Sequence, residues 1–220
     1  ELNLSLAKNE LYQRYVKELA KEDEHVETFE LFDSWVEAFK NVYADFAESH
    51  AVPKVPRVAI TDFLENAYIE DFTEFQKHFS DAGMECDIID IRKLAYDGTH
   101  LLSPDGKELH AVYRRAVTSD VLKRYDEVQP LIHAYLDGAA CLVGSFATQV
   151  IHNKTLFIAL FDDRLRQYFT DDERTFIDAH VPFTAALRQD AASGDMLADK
   201  DRYILKPYDS YAAGGIYLGL

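Results

Sequence analysis

Between Arg57 and Ile91 two short apolar runs are separated by one stretch of helix length, and this arrangement restricts the fold more than anything else in the chain. Arg57-Val58-Ala59-Ile60-Thr61-Asp62 reads as a strand whose apolar part ends in polar groups. Glu65 to Ala82 reads as a helix closed by Gly83, and Glu85 to Ile91 reads as a second strand. Strands joined through a whole helix pair in parallel, because only a crossover of that length returns the chain to the same end of the sheet. No Gly-x-Gly-x-x-Gly turn follows the first strand, so a dinucleotide-binding Rossmann domain fits poorly.

The layer continues downstream. Ser103-Pro104-Asp105-Gly106 is a turn. Leu109 to Arg114 alternates apolar and polar residues as a third strand and ends in Arg114-Arg115. Thr118 and Ser119 open a helix, Tyr125 to Leu136 is helical up to Gly138, and Ala140 to Val143 is a fourth strand. Residues 57–144 therefore read as an open α/β layer of four strands.

Upstream, Leu4 to Lys21 reads as an amphipathic helix. Val26 to Ser49 reads as a longer one, with Phe29, Phe32, Val36, Phe39, Val42, Tyr43 and Phe46 at threes and fours. This aromatic stripe is a core face. Ala51 to Pro56 breaks the helix and serves as a linker. Downstream of the layer, Gln149 to Phe161 is helical, and a helix with Thr170 as its N-cap begins at Asp171. Val181 to Thr184 is extended, and Asp190 to Ala198 is a short helix.

The 220 residues allow one large domain or two small ones, and 48% hydrophobic residues suffice for a substantial core. A formal charge of −16 argues against a nucleic-acid partner, which needs a basic face. Cys86 and Cys141 each lie in a strand-like run and read as small buried hydrophobes. No membrane-spanning run or signal peptide is visible, and the expected location is cytoplasmic. The chain opens on Glu1 and stops just after a loop that calls for more sheet, so we expect a piece of a longer protein. Its oligomeric state is not legible.

Chemistry concentrates in the last eighteen residues. Tyr203-Ile204-Leu205 is β-prone, Lys206 follows, and Pro207 ends the run. Asp209 to Gly215 is small and polar, and a strand resumes at Ile216. Glycines let backbone N–H groups approach phosphate oxygens, and a lysine at the strand end adds a fixed positive charge. The loop is not a Walker A loop, because no Gly-Lys-Ser/Thr opens a helix. An ordinary hairpin with a long Gly-Gly turn fits the same residues. Three further features join it. Lys154 lies on the helix after the fourth strand, where a lone lysine is also an ordinary surface group. Arg114-Arg115 stands at the C-terminal end of a strand, where open parallel sheets bind ligands. Arginine offers a fork to carboxylate or phosphate, although a structural ion pair would use it as well. In an extended segment Glu1 and Asn3 would point to one side, where two oxygen donors can hold Mg²⁺, although a frayed terminus fits the same residues.

Taken together, the order Glu-x-Asn, helices, α/β layer, Asn153-Lys154, Lys206-Pro207, Gly214-Gly215 resembles the circularly permuted ATP-grasp ligases, the group that includes glutathionylspermidine synthetase. The resemblance covers nearly the whole chain. It rests on Val112-Tyr113-Arg114-Arg115, on Gly138 to Leu160 with Ser145-Phe146 and Asn153-Lys154-Thr155-Leu156, and most specifically on Ile204-Leu205-Lys206-Pro207 followed by Gly214-Gly215-Ile216.

The resemblance implies an α/β fold: an open pre-ATP-grasp sheet with flanking helices plus part of an ATP-grasp domain. The divisions would be 1–56, a helical segment of the ATP-grasp part; 57–144, the pre-ATP-grasp layer; and 145–220, the start of the lid with its phosphate loop. It implies that Lys154 and Lys206 bind ATP, that Gly214 and Gly215 close over the phosphates, and that Glu1 and Asn3 bind Mg²⁺. Arg114 and Arg115 would act on the acid substrate. The family activates a carboxylate as an acyl phosphate and passes it to an amine, so the implied partners are a small-molecule acid and amine, with neither nucleic acid nor membrane. Two features depart from a complete member. No acidic Mg²⁺ ligand precedes Glu1, and Asp209-Ser210-Tyr211-Ala212-Ala213 stands where relatives are often richer in glycine. An ATP-binding scaffold or sensor without turnover is the alternative implied by the first departure, and a plain α/β small-molecule domain is a third reading.

Overall fold

The computed structural model describes residues 9–22, 31–187, 198–210 and 214–218. The fold is mixed α/β, with a parallel sheet flanked by helices. Its internal contacts divide the chain into two units, Glu1–Ser145 and Phe146–Leu220.

In the first unit, helix α1 (Glu10–Glu22) has no buried residue, and α2 (Phe32–Ser49) precedes strand β1 (Val58–Asp62). Helix α3 (Ile69–Asp81) then leads to β2 (Cys86–Asp90). Three two-residue strands follow, β3 (Ala95–Tyr96), β4 (Leu101–Leu102) and β5 (Glu108–Leu109). The unit is completed by β6 (Ala111–Arg114), α4 (Thr118–Lys123), α5 (Gln129–Leu136) and β7 (Cys141–Val143).

The expected four-strand layer is a parallel sheet in the order β2-β1-β6-β7. β1 is bonded on both edges, with Ile60 opposite Ile88 on one side and Tyr113 on the other. A central parallel strand is buried on both faces and so reads as a continuous apolar run; Val58, Ala59, Ile60 and Thr61 are all fully buried.

Because side chains alternate along a strand, Val58 and Ile60 face α2 and α3. There they meet Phe32, Val36, Phe39, Tyr43, Phe72, Phe75 and Phe79. Phe39 and Phe79 contact edge to face with centroids 4.9 Å apart, a favoured aromatic geometry. Tyr43 is buried, and its hydroxyl donates to the Pro53 carbonyl at 2.6 Å, so the core gains an aromatic ring without orphaning a polar atom. The aromatic stripe thus belongs to the sheet's core, and α2 lies in the same unit as residues 57–144. Burial pushes the Cys86 thiol up to about 12 and the Cys141 thiol up to about 11, as suits apolar core positions.

The second unit holds α6 (Gln149–His152), α7 (Thr155–Leu160), α8 (Asp163–Arg166), α9 (Asp171–His180), β8 (Ile204–Leu205) and β9 (Tyr217–Leu218). Thr170 caps α9 through a reciprocal capping box with Glu173. Ile177 is the one buried hydrophobic residue among the unit's described residues.

Three local expectations differ from the structure. The helix expected over 65–82 begins only at Ile69, after a 3-10 turn at Leu64–Asn66. The helix expected over 149–161 is cut at Asn153, whose backbone is extended and whose Oδ1 accepts from the Thr155 N–H. Asparagine competes with the helix for local hydrogen bonds, and here it wins. The third strand expected over 109–114 is split, with Leu109 ending β5 in a separate β3-β4-β5 sheet and only Ala111–Arg114 forming β6; that small sheet was not foreseen, because strands of two residues carry no readable alternation. The expected segments 1–8, 23–30 and 188–197 lie outside the described residues.

Phe79→Ala removes a ring that is fully buried between α2 and the sheet. We predict a loss of about 3–5 kcal/mol from the first unit, read as a lower denaturant midpoint at unchanged slope. A loss below about 1 kcal/mol would mean that α2 does not pack on this face.

Candidate functional site

The second unit holds Lys154, Lys206, Gly214 and Gly215, four of the residues expected to bind phosphate. β8 and β9 pair antiparallel, Ile204 opposite Leu218 and Leu205 opposite Tyr217. Lys206 leaves the end of β8 exposed and has no partner among the described residues. Pro207 ends the ladder because it has no N–H to donate. On the return, Gly215 has φ +71°, and a Cβ there would lie 2.7 Å from Pro207 Cγ. The turn therefore requires glycine twice, for its left-handed backbone and for the approach of the proline ring. The Ser210 hydroxyl donates to the Gly214 carbonyl at 3.0 Å across the mouth of the loop.

Lys154 reaches this hairpin from the break between α6 and α7. Its backbone N–H donates to the Tyr208 carbonyl at 2.8 Å, and its Nζ donates to the Ser210 carbonyl, also at 2.8 Å. The helix break at Asn153 is what frees that N–H, since an unbroken helix would have bonded it internally. Lys154, Lys206, Gly214 and Gly215 are thus gathered around one loop. Residues 211–213, at the loop's tip, lie outside the described residues.

The sequence pointed to Asp209 only as part of the loop and assigned no site role to Gln149 or His152. Gln149 Nε2 donates to both carboxylate oxygens of Asp209, at 3.1 and 3.0 Å, and His152 Nε2 lies 3.5 Å from Asp209 Oδ1. No spacing rule connects residues 149 and 209, so only the folded chain could pair them.

The other candidates stand at the C-terminal edge of the first unit's sheet. The chain leaves β1 toward β2 on one side and returns to β6 on the other, so the switch point of this sheet lies between β1 and β6. Arg114 ends β6 there. Its Nε donates to the Gly144 carbonyl at 2.6 Å and its Nη1 to the Ala116 carbonyl. Desolvation lowers its pKa, with nearby Asp62 acting in the opposite sense. Gly144 has φ +76° and would place a Cβ 3.0 Å from the Arg114 carbonyl oxygen. Arg114 is therefore a tie between the ends of two strands.

Arg115 turns to the opposite face. Its Nη2 lies 2.9 Å from Asp71 on α3, its Nη1 donates to the Tyr113 hydroxyl at 2.9 Å, and its guanidinium sits 5.3 Å from the Phe72 ring centroid. Each expected substrate arginine thus has structural partners within the protein.

Carboxylates line the same edge. Burial raises the Asp62 pKa, opposed by the Phe63 N–H that its Oδ1 accepts at 2.8 Å. The Arg92 fork holds Asp90 down at about 2. Arg124 and Arg92 together grip Glu65, and Arg124 lies 4.3 Å from the Phe63 ring centroid. These pairings explain the charge density of the edge as a set of mutual ties.

Glu1 and Asn3, the expected Mg²⁺ ligands, lie outside the described residues. Among the described residues, no group of three or more His, Cys, Asp or Glu side chains is placed to hold a metal ion, and no helix is long and apolar enough to cross a membrane. The chain matches no protein-family model, and no curated protein matches it.

If Arg115 serves the fold, its coupling to Asp71 should be measurable. Asp71 is 8% exposed, and losing its partner leaves a nearly buried charge. We predict that Arg115→Met destabilises the first unit by about 1–3 kcal/mol, below the full cost of a buried pair because the arginine is partly solvated. Asp71→Asn should recover part of that loss in a double-mutant cycle. Strictly additive losses would show that the pair does not hold the arginine.

Proposed function

We propose that this chain is part of an ATP-dependent carboxylate–amine ligase of the permuted ATP-grasp type, similar to glutathionylspermidine synthetase. The observation that carries the reading is convergence. Lys154 and Lys206, far apart in sequence, meet at one Gly-Gly hairpin, where Lys154 is bonded to the second and fourth residues after Lys206. A lysine at the end of β8, a second bonded to the loop that follows it, and Gly215 with its positive φ are the kinds of group that phosphate oxygens require.

ATP, when bound, supplies the phosphoryl group that activates the acid. The work of this chain's residues is then electrostatic. Lys154 and Lys206 would neutralise charge on the phosphates, and the N–H groups of Gly214 and Gly215 would be available to bond their oxygens. The glycine loop excludes water from the activated acid. Mg²⁺ binding by Glu1 and Asn3 rests on the sequence alone. The acid and the amine are small molecules, and the amide forms between them.

One observation favours the second reading, an ATP-binding scaffold or sensor of the same fold without turnover. Arg114 and Arg115, expected to meet the acid, are held by the Gly144 and Ala116 carbonyls and by Asp71 and Tyr113. Phosphate release from the full-length protein, with ATP, Mg²⁺ and a panel of acids and amines, separates the two. Release that needs both an acid and an amine supports the ligase. ATP binding without release supports the scaffold.

For nucleotide binding itself, we predict that Lys206→Ala weakens ATP by about 10-fold or more, from the loss of one charge-assisted contact worth roughly 1.5–3 kcal/mol. Calorimetry on the full-length protein checks this. An unchanged ATP affinity in the folded variant would remove Lys206 from the site.

A further inference from the structure

The contacts that place Lys154 also occupy it. Its ammonium donates to the Ser210 carbonyl at 2.8 Å, the position in which it would otherwise meet an anion. Ser210 is presented there by its neighbours. Tyr208 accepts from the Lys154 backbone, and Asp209 is gripped through both oxygens by Gln149, with His152 alongside at 3.5 Å. Three consecutive residues, Tyr208 to Ser210, are thus fastened to one six-residue stretch, Gln149 to Lys154.

We propose that Gln149, His152 and Asp209 form a latch that keeps the Ser210 carbonyl on the Lys154 ammonium, so that the loop's own backbone holds the place of a phosphate oxygen. The proposal rests on the nucleotide reading of Lys154 and deepens it by assigning a regulation to that site. Gln149, His152 and Asp209 are positioning residues, acting through the segment 208–210 and not on the phosphate itself. An anion reaching Lys154 must displace a neutral carbonyl, and it gains the stronger ion–ion contact in exchange. While the carbonyl is held, only the released fraction of the protein is competent, and the apparent affinity for the anion falls by that fraction. The latch therefore makes nucleotide binding weaker than the two lysines alone would give. It also links occupation of Lys154 to the position of the loop's root.

This account predicts a gain where a support for binding would give a loss. The test uses the full-length protein and a Gln149→Ala/His152→Ala variant, with two readouts. The first is the rate at which a water-soluble acetylating reagent modifies Lys154, read by mass spectrometry with Lys206 as the internal reference. The second is ATP affinity by calorimetry.

The latch predicts that Lys154 is modified about threefold faster or more in the variant while Lys206 is unchanged, and that ATP binds about threefold tighter or more. Unchanged labelling together with unchanged or weaker ATP binding overturns the latch and leaves the nucleotide reading standing. Faster labelling in a protein that binds no ATP, variant or wild type, upholds the latch and overturns the nucleotide reading. Faster labelling with weaker ATP binding overturns the self-occupying role, because the same residues then help to bind nucleotide. Should the double variant fail to fold, Gln149→Leu carries the same test, since it removes the grip on Asp209 while keeping a side chain of similar size.

Discussion

The first unit depends on the double pairing of β1. Its backbone is bonded to β2 on one edge and β6 on the other, and its residues Val58 to Thr61 are fully buried. That arrangement fixes everything around it. The face bearing Val58 and Ile60 must be covered, and the aromatic rings of α2 and α3 cover it. The C-terminal ends of β1 and β6 are brought side by side, so the polar residues that close both strands, Asp62 and Arg114, share one edge. An apolar central strand thus places a polar rim without any polar residue directing it.

The second unit is held differently. Its described residues bury little apolar surface, with Ile177 the one buried hydrophobic residue among them. What fastens the hairpin is a row of hydrogen bonds from Gln149, Lys154 and Ser210, together with the packing of Gly215 against Pro207. Such bonds contribute modestly and exchange readily with other partners. A site built this way suits a ligand that competes for the same donors, as an anion would for Lys154. The arginine edge of the first unit is stiffer, since Arg114 and Arg115 are each held from more than one side.

Strands long enough to show period or apolar run were legible in the sequence, and so was their parallel sense, because a helix-length crossover leaves no other choice. The β3-β4-β5 sheet was not, because two-residue strands owe their existence to neighbours. The break at Asn153 was hidden for a related reason. The residue's local bond to the Thr155 N–H competes with a helix that the surrounding apolar residues favour. In the candidate site, the glycines and lysines announced themselves by type and spacing. Gln149 and His152 did not, because what they do is contact Asp209, which lies about sixty positions away in sequence. Arg114 and Arg115 carried a chemical promise that the sequence leaves open, and only the folded chain shows the carbonyls and the carboxylate that already engage them.

The central claim is that Lys154 and Lys206 serve one nucleotide site. The most direct measurement is covalent capture with an acyl-phosphate derivative of ATP, which transfers its acyl group to lysines lying against the phosphates. In the full-length protein the account predicts that Lys154 and Lys206 are both modified, ahead of every other lysine, and that free ATP protects both together. Modification spread over the surface lysines, or capture at one of the two with no protection by ATP, would contradict it.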